Sequence, residues 1–159
     1  MIPCANGTDA LQIALMGLKL VPGDEVITSD FTFAATVEVI SLLKLKPVLV
    51  DVDPKTFNID PIAIEKAITP KTKVIIPVHL FGNNANIDEI KKICSTHNIK
   101  IIEDVAQAFG SGTENNTKLG SIGDIGAFSF FPSKTLGGIG DGGCVVTNNL
   151  SQYKKVLKL

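Results

Sequence analysis

Apolar residues along the chain fall into two alternating patterns. Short dense runs read as strands at 2–4, 25–28, 47–52, 73–78, 99–104, 124–130 and 143–147. Longer stretches with a helical period lie between them, at 9–20, 33–43, 60–68 and 86–97, and 152–159 has the pattern of a helix start. In the first, Ala10, Leu11, Ile13, Ala14, Leu15, Met16 and Leu18 lie nearly all round, which predicts a buried helix. In 86–97, Ile87, Ile90, Ile93 and Cys94 share one face. Asp60 before Pro61 predicts an N-cap and a first helical residue. Strands alternating with helices at this spacing predict an α/β domain: a largely parallel, seven-stranded sheet covered by helices on both faces.

Composition adds boundaries to this picture. The chain has 159 residues, 45% of them hydrophobic, enough for one well-buried domain. Net charge is −1 and no basic stripe interleaves with aromatics, which argues against a nucleic-acid partner. All 15 basic residues are Lys. A bidentate guanidinium clamp on a substrate must therefore come from another chain or from sequence outside this one. Cys4, Cys94 and Cys144 are far apart and form no CxxC, so they read as reduced thiols in a cytoplasmic protein, with no metal site. No run is long and apolar enough to span a membrane. Both ends fall inside expected elements, so 1–159 reads as one domain of a longer protein.

In open α/β sheets, ligands collect beyond the carboxyl ends of the strands, and four features fall there. Asn6-Gly7-Thr8-Asp9 opens a helix and can present free N–H groups and the positive dipole end to a phosphate; Thr8 could equally be a plain cap. Asp104 ends a buried strand, where a carboxylate is costly without a cation or several donors. It either meets a protonated ligand nitrogen or caps the turn that follows, and Gln107 can reach the same ligand. Phe31 and Phe33 flank Thr32 at a strand end and either stack on a flat ligand or belong to the core. Ser129 lies at the end of the strand at 124–130, and Lys134 follows it, past Pro132, on a glycine-dense loop. Ser129 can donate to a phosphate or only to nearby backbone. Lys134 offers an amine that is either catalytic or a solvated loop lysine. His79 is at the same rim and reads first as a structural residue, while His97, Lys91 and Lys92 read as surface. Gly138-Ile139-Gly140-Asp141-Gly142-Gly143 matches G-x-G-x-x-G but leads into a strand rather than a helix, so it is no dinucleotide fingerprint.

Five segments occur in order: Asn6-Gly7-Thr8-Asp9-Ala10-Leu11, Phe31-Thr32-Phe33-Ala34-Ala35-Thr36, Pro77-Val78-His79-Leu80-Phe81-Gly82, Glu103-Asp104-Val105-Ala106-Gln107-Ala108 and Ser129-Phe130-Phe131-Pro132-Ser133-Lys134. Together they resemble the pyridoxal-phosphate-dependent sugar aminotransferases of the DegT/DnrJ/EryC1/StrS family, with the aspartate aminotransferase-like fold type I. The resemblance covers the whole chain. It implies that 1–159 is the cofactor-binding large domain, with the last strand antiparallel. An N-terminal arm and a C-terminal small domain would lie elsewhere. It implies pyridoxal 5'-phosphate as cofactor, Lys134 as the lysine that bonds to it, Asp104 on the ring nitrogen and Gln107 beside the ring and its hydroxyl. Thr8, Asp9 and Ser129 would form the phosphate cup, with backbone amides at Thr8 and Asp9, and Phe33 would stack on the ring. Glutamate as amino donor, a nucleotide-linked keto sugar as acceptor and a homodimer are implied too. The stretch Cys4 to Ala14 resembles the branch acting on UDP-linked 3-keto N-acetylated sugars or uronates, with a 4-keto sugar as nearest rival. The alternatives are a sugar dehydratase of the same family, against which Lys134 argues because that position is often His there, and a non-catalytic relic of the fold.

Overall fold

The computed structural model describes residues 1–159. Seven strands form one sheet: β1 (Ile2–Cys4), β2 (Glu25–Ser29), β3 (Lys46–Val50), β4 (Thr72–Ile76), β5 (Lys100–Asp104), β6 (Ile125–Ser129) and β7 (Gly143–Val146). Their order across the sheet is β1-β7-β6-β5-β4-β2-β3. The pairs from β3 to β6 are parallel, and β7 runs antiparallel to both of its neighbours, β6 and β1. The helices are α1 (Gly7–Met16), α2 (Ala34–Leu42), α3 (Pro61–Ala67), α4 (Ile87–His97) and α5 (Leu150–Val156). None is long and apolar enough to cross a membrane.

The side-chain alternation of each inner strand divides the core into two halves. Val26, Val74, Ile76 and Ile102 pack with Ala10, Leu15, Val39, Ile40 and Val156, from α1, α2 and α5. Ile27, Ile75 and Ile101 pack with Ile64, Ile87, Ile90 and Ile93, from α3 and α4. The sheet is thus the middle of three layers, as the sequence pattern predicts.

Differences from the sequence reading lie mostly at element ends. α1 stops at Met16, not near residue 20, with Gly17 as its C-cap. It is also less enclosed than expected: Ala10, Leu11, Ala14 and Leu15 are buried, whereas Met16 is 44% exposed. α5 starts two residues earlier than expected, because Asn149 caps it by accepting from the Gln152 N–H at 3.1 Å. Asp60 does cap α3, accepting from the Ile62 N–H, with Pro61 as the first helical residue. At the amino ends of the strands, buried Glu25 accepts from Lys46 Nζ at 3.0 Å and from the Thr69 and Thr72 hydroxyls, which ties β2, β3 and β4 together away from the site.

Candidate active site

Beyond the carboxyl ends of β2, β5 and β6 lies a cavity of about 580 Å³. It is within the range of ordinary small-molecule sites. The seven residues that the family resemblance assigns to the cofactor all line it: Thr8, Asp9, Phe33, Asp104, Gln107, Ser129 and Lys134.

The chain reaches this cavity from α1 first. Asn6, not Thr8, is the N-cap: its Oδ1 accepts from the Asp9 N–H at 2.8 Å, and its Nδ2 donates back to Asp9 Oδ2 at 3.3 Å. The Asp9 amide is therefore already used. Gly7 and Thr8, the first two helical residues, have no acceptor within the helix and keep their N–H groups free. The amides left free are thus those of Gly7 and Thr8, whereas the family resemblance implies Thr8 and Asp9. Gly7 is also required for close approach, since a Cβ there would come 2.6 Å from Ser129 Cβ and 3.0 Å from its Oγ. Ser129 Oγ accepts weakly from the Phe131 N–H at 3.4 Å, leaving its own hydrogen available.

Asp104 ends β5 and is buried. Its Oδ2 accepts from Thr36 Oγ1 at 3.0 Å, and its Oδ1 accepts from the Ala106 N–H at 3.1 Å. It caps the following turn, as one sequence reading has it, and it also lines the cavity. The Thr36 hydroxyl is 3.1 Å from that of Thr32, and with its hydrogen given to Asp104 it must accept from Thr32. Burial raises the Asp104 pKa above its ordinary value; the Ala106 and Thr36 hydrogen bonds and the charge of Lys134 oppose that rise without cancelling it. Such a carboxylate favours a cationic partner.

Lys134 is delivered by a β-turn. The Phe131 carbonyl accepts from the Lys134 N–H at 2.8 Å, with Pro132 and Ser133 at the central positions. The loop then folds back tightly, the Gly138 N–H donating to the Phe130 carbonyl at 2.8 Å. The rest of 137–143 leads into β7, so the glycine pattern serves a hairpin loop. Among the lining residues Lys134 is the only cation, facing Asp9, Asp104 and Asp141.

The two aromatic candidates separate. Phe33, the residue before α2, lines the cavity and is 73% exposed. Phe31 instead packs on Phe57, with ring centroids 5.7 Å apart, and does not line it. Gln107 also lines the cavity, with its Oε1 accepting from the Phe81 N–H at 2.9 Å.

Behind the site is a buried pair that sequence reasoning missed in part. His79 is wholly buried; its Nε2 is 3.0 Å from Glu103 Oε2, and its Nδ1 accepts from the Ala85 N–H at 3.2 Å. An N–H aimed at Nδ1 requires a lone pair there, so the ring is neutral and Nε2–H donates to Glu103. Glu103 also accepts from the Gly120, Ile122 and Gly123 N–H groups at 2.7–2.8 Å. Burial by itself would raise its pKa, but the bonds from His79, Gly123 and Gly120 outweigh it and hold the carboxyl below its usual range. Both ring nitrogens of His79 are thus satisfied within the fold, in line with its first reading as a structural residue. Two adjacent acids ending a buried strand were the available signal for Glu103, because each needs its own donors, one on each face of the sheet. Thr36 gave no signal of its own, since a threonine in an apolar helix is ordinary.

The model of the DegT/DnrJ/EryC1/StrS aminotransferase family matches residues 1–159. A UDP-2-acetamido-2-deoxy-3-oxo-D-glucuronate aminotransferase of Pseudomonas aeruginosa is 53% identical over 148 residues, 93% of this chain and 41% of that protein. A protein of Geobacillus stearothermophilus described as a pleiotropic regulatory protein is 51% identical over 160 residues, 99% of this chain and 43% of that one. The crystal structure of an aminotransferase from Psychrobacter cryohalolentis superposes with a TM-score of 0.94 at 41% identity, covering 98% of this chain and 39% of that one. The chain spans about two-fifths of the length of these relatives.

Proposed function

The chain belongs to the DegT/DnrJ/EryC1/StrS aminotransferase family, and on that premise we propose that its cavity holds pyridoxal 5'-phosphate as the cofactor-binding part of a nucleotide-sugar aminotransferase. The observation that carries the reading is the meeting of Lys134, Asp104 and the open amino end of α1 on one cavity. The donor set fits the group: a carboxylate for a ring nitrogen, neutral N–H and hydroxyl donors for a phosphate, and one amine for a carbonyl carbon.

When bound, pyridoxal phosphate supplies an electron sink for the chemistry at the amino-bearing carbon. The chain's own residues do the rest. Asp104, kept in place by Thr36 and the Ala106 N–H, holds a proton on the ring nitrogen. Gly7 and Thr8 N–H and the Ser129 hydroxyl bind the phosphate, helped by the helix dipole. Phe33 covers one face of the ring. Lys134 is the nucleophile toward the carbonyl carbon and the base that moves a proton at Nζ.

This cup offers the phosphate no cationic side chain, and Asp9 is close by. A second copy of the protein is our proposed source of the missing charge, which makes the working form a homodimer. Glutamate is the proposed amino donor. The acceptor is a UDP-linked 3-keto N-acetylated sugar or uronate, supported by the Pseudomonas relative's name and the Cys4–Ala14 stretch; a 4-keto sugar is next.

The test uses the intact protein with added pyridoxal phosphate. A visible absorption band should form, disappear in Lys134→Ala, bleach with glutamate, and return with an aminated product when the keto sugar is added. No Lys134-dependent band overturns the reading. A regulatory role that keeps the fold is the second reading, favoured by the Geobacillus relative's name; a band that glutamate never bleaches supports it.

A further inference from the structure

Phe81 is the centre of a second, smaller arrangement beside the cavity. It sits in the left-handed region at φ 55°, ψ 20°, inside the short 3₁₀ turn Leu80–Gly82, and Gly82 follows at φ 86°. A phenylalanine there is strained by roughly 1–2 kcal/mol, yet its side chain is 66% exposed and gains little from the conformation. What the conformation does is aim the Phe81 N–H at Gln107 Oε1, 2.9 Å away.

That bond decides which half of the Gln107 amide faces the cavity. A flipped amide would set NH2 against N–H, two donors with no acceptor between them. With Oε1 held by Phe81, the Nε2 hydrogens are the half left for a ligand. The turn itself is pinned on both sides. Asn58, which is buried, accepts from the Leu80 N–H at 3.0 Å and donates to the Asn84 carbonyl at 3.3 Å. His79, fixed by Glu103, accepts from the Ala85 N–H.

We propose that the turn Leu80–Gly82 is a positioning device for Gln107, with the Phe81 N–H fixing the amide so that its NH2, and not its oxygen, is presented to an oxyanion on the bound cofactor ring. Asn58 is then a positioning residue acting through Phe81 and Gln107. The inference deepens the cofactor reading above and rests on it for the identity of the ligand, though not for the hydrogen bond.

Two measurements test it, on the intact protein. The first is amide hydrogen exchange at Phe81 without cofactor. Gln107→Leu should speed exchange at Phe81 at least about tenfold, the loss of one net hydrogen bond, and leave the Leu80 and Ala85 amides protected. Unchanged protection at Phe81, or equal loss at all three, overturns the proposal. The second is the pH titration of the visible band of the pyridoxal-phosphate-loaded protein. A donor on the ring oxyanion favours its ionised form, so Asn58→Ala should move the midpoint upward, by about half a pH unit for a threefold change. In a Gln107→Leu background Asn58→Ala should add nothing further; additive shifts overturn the proposal. If no Lys134-dependent band forms, the cofactor reading fails and the exchange result alone decides whether the turn fixes Gln107.

Discussion

The Thr36 hydroxyl donates to Oδ2 of Asp104 at 3.0 Å, joining the first turn of α2 to the end of β5. Burial already raises the pKa of this carboxyl, so ionising it costs folding free energy in the unliganded protein. The cost is absent below the ordinary value of 3.8 and is incurred as pH rises through the folded value. Thr36→Val keeps the shape and removes the donor. The Asp104 titration, followed by carboxyl NMR, should move further upward, and pyridoxal phosphate should bind about tenfold more weakly. An unmoved titration would show that the hydroxyl does not support the charge.

Glu103 titrates in the opposite sense. Its pKa is held below the ordinary 4.5, so its stabilisation is complete above that value and is lost as pH falls through the folded one. Glu103→Gln leaves backbone N–H groups facing an amide NH2. It should cost about 3 kcal/mol near neutral pH, or a Tm lower by roughly 10 °C for a chain of this size. The gap between the two Tm curves should narrow below pH 4.5. Parallel curves across that range would assign the pH dependence to other carboxylates.

Gly7→Ala tests the phosphate cup. The new Cβ would sit 2.6 Å from Ser129 Cβ, so α1 must shift away from β6. Such overpacking costs about 1–3 kcal/mol. Because the same shift carries off the Gly7 and Thr8 N–H groups, affinity for pyridoxal phosphate should fall by more than that for unphosphorylated pyridoxal. Equal losses for the two would place the phosphate elsewhere.

Phe81→Asn keeps the N–H and puts a residue tolerant of the left-handed region at φ 55°. It should raise stability by about 1 kcal/mol in denaturant melts and leave the visible spectrum of the loaded protein unchanged. A destabilised variant would mean that the exposed phenyl ring has a packing role of its own.

Much of this molecule was legible in the sequence because its signals are local. Ile27 beside Val26, or Ile101 beside Ile102, marks a strand buried on both faces without any knowledge of its neighbours. Pro132 and Ser133 before Lys134 mark a turn, and that turn is what delivers the amine. The cap of α1 was misplaced by two residues because Asn6 and Thr8 are both good caps and only the Asn6–Asp9 exchange chooses between them. The roles of Thr36 and Phe81 were not legible, since each depends on a partner distant in the chain, Asp104 and Gln107. Glu103 went unremarked beside Asp104 and His79 read only as structural, because their pairing is a property of the packed sheet.

The position of β7 has a consequence for biosynthesis. β1 has a neighbour on one side only, and Ile2 pairs with Val145 near the other end of the described chain. α1 likewise covers Ile125, Ala127 and Val145. β1 and α1 are therefore synthesised well before the strands that complete their packing. Until β6 and β7 have been made, the part of the apolar face of α1 that covers Ile125, Ala127 and Val145 has no partner. The amino end of α1 and the loop bearing Lys134 come together only once β6 and β7 are in place, so a nascent chain acquires that open helix end and its amine together.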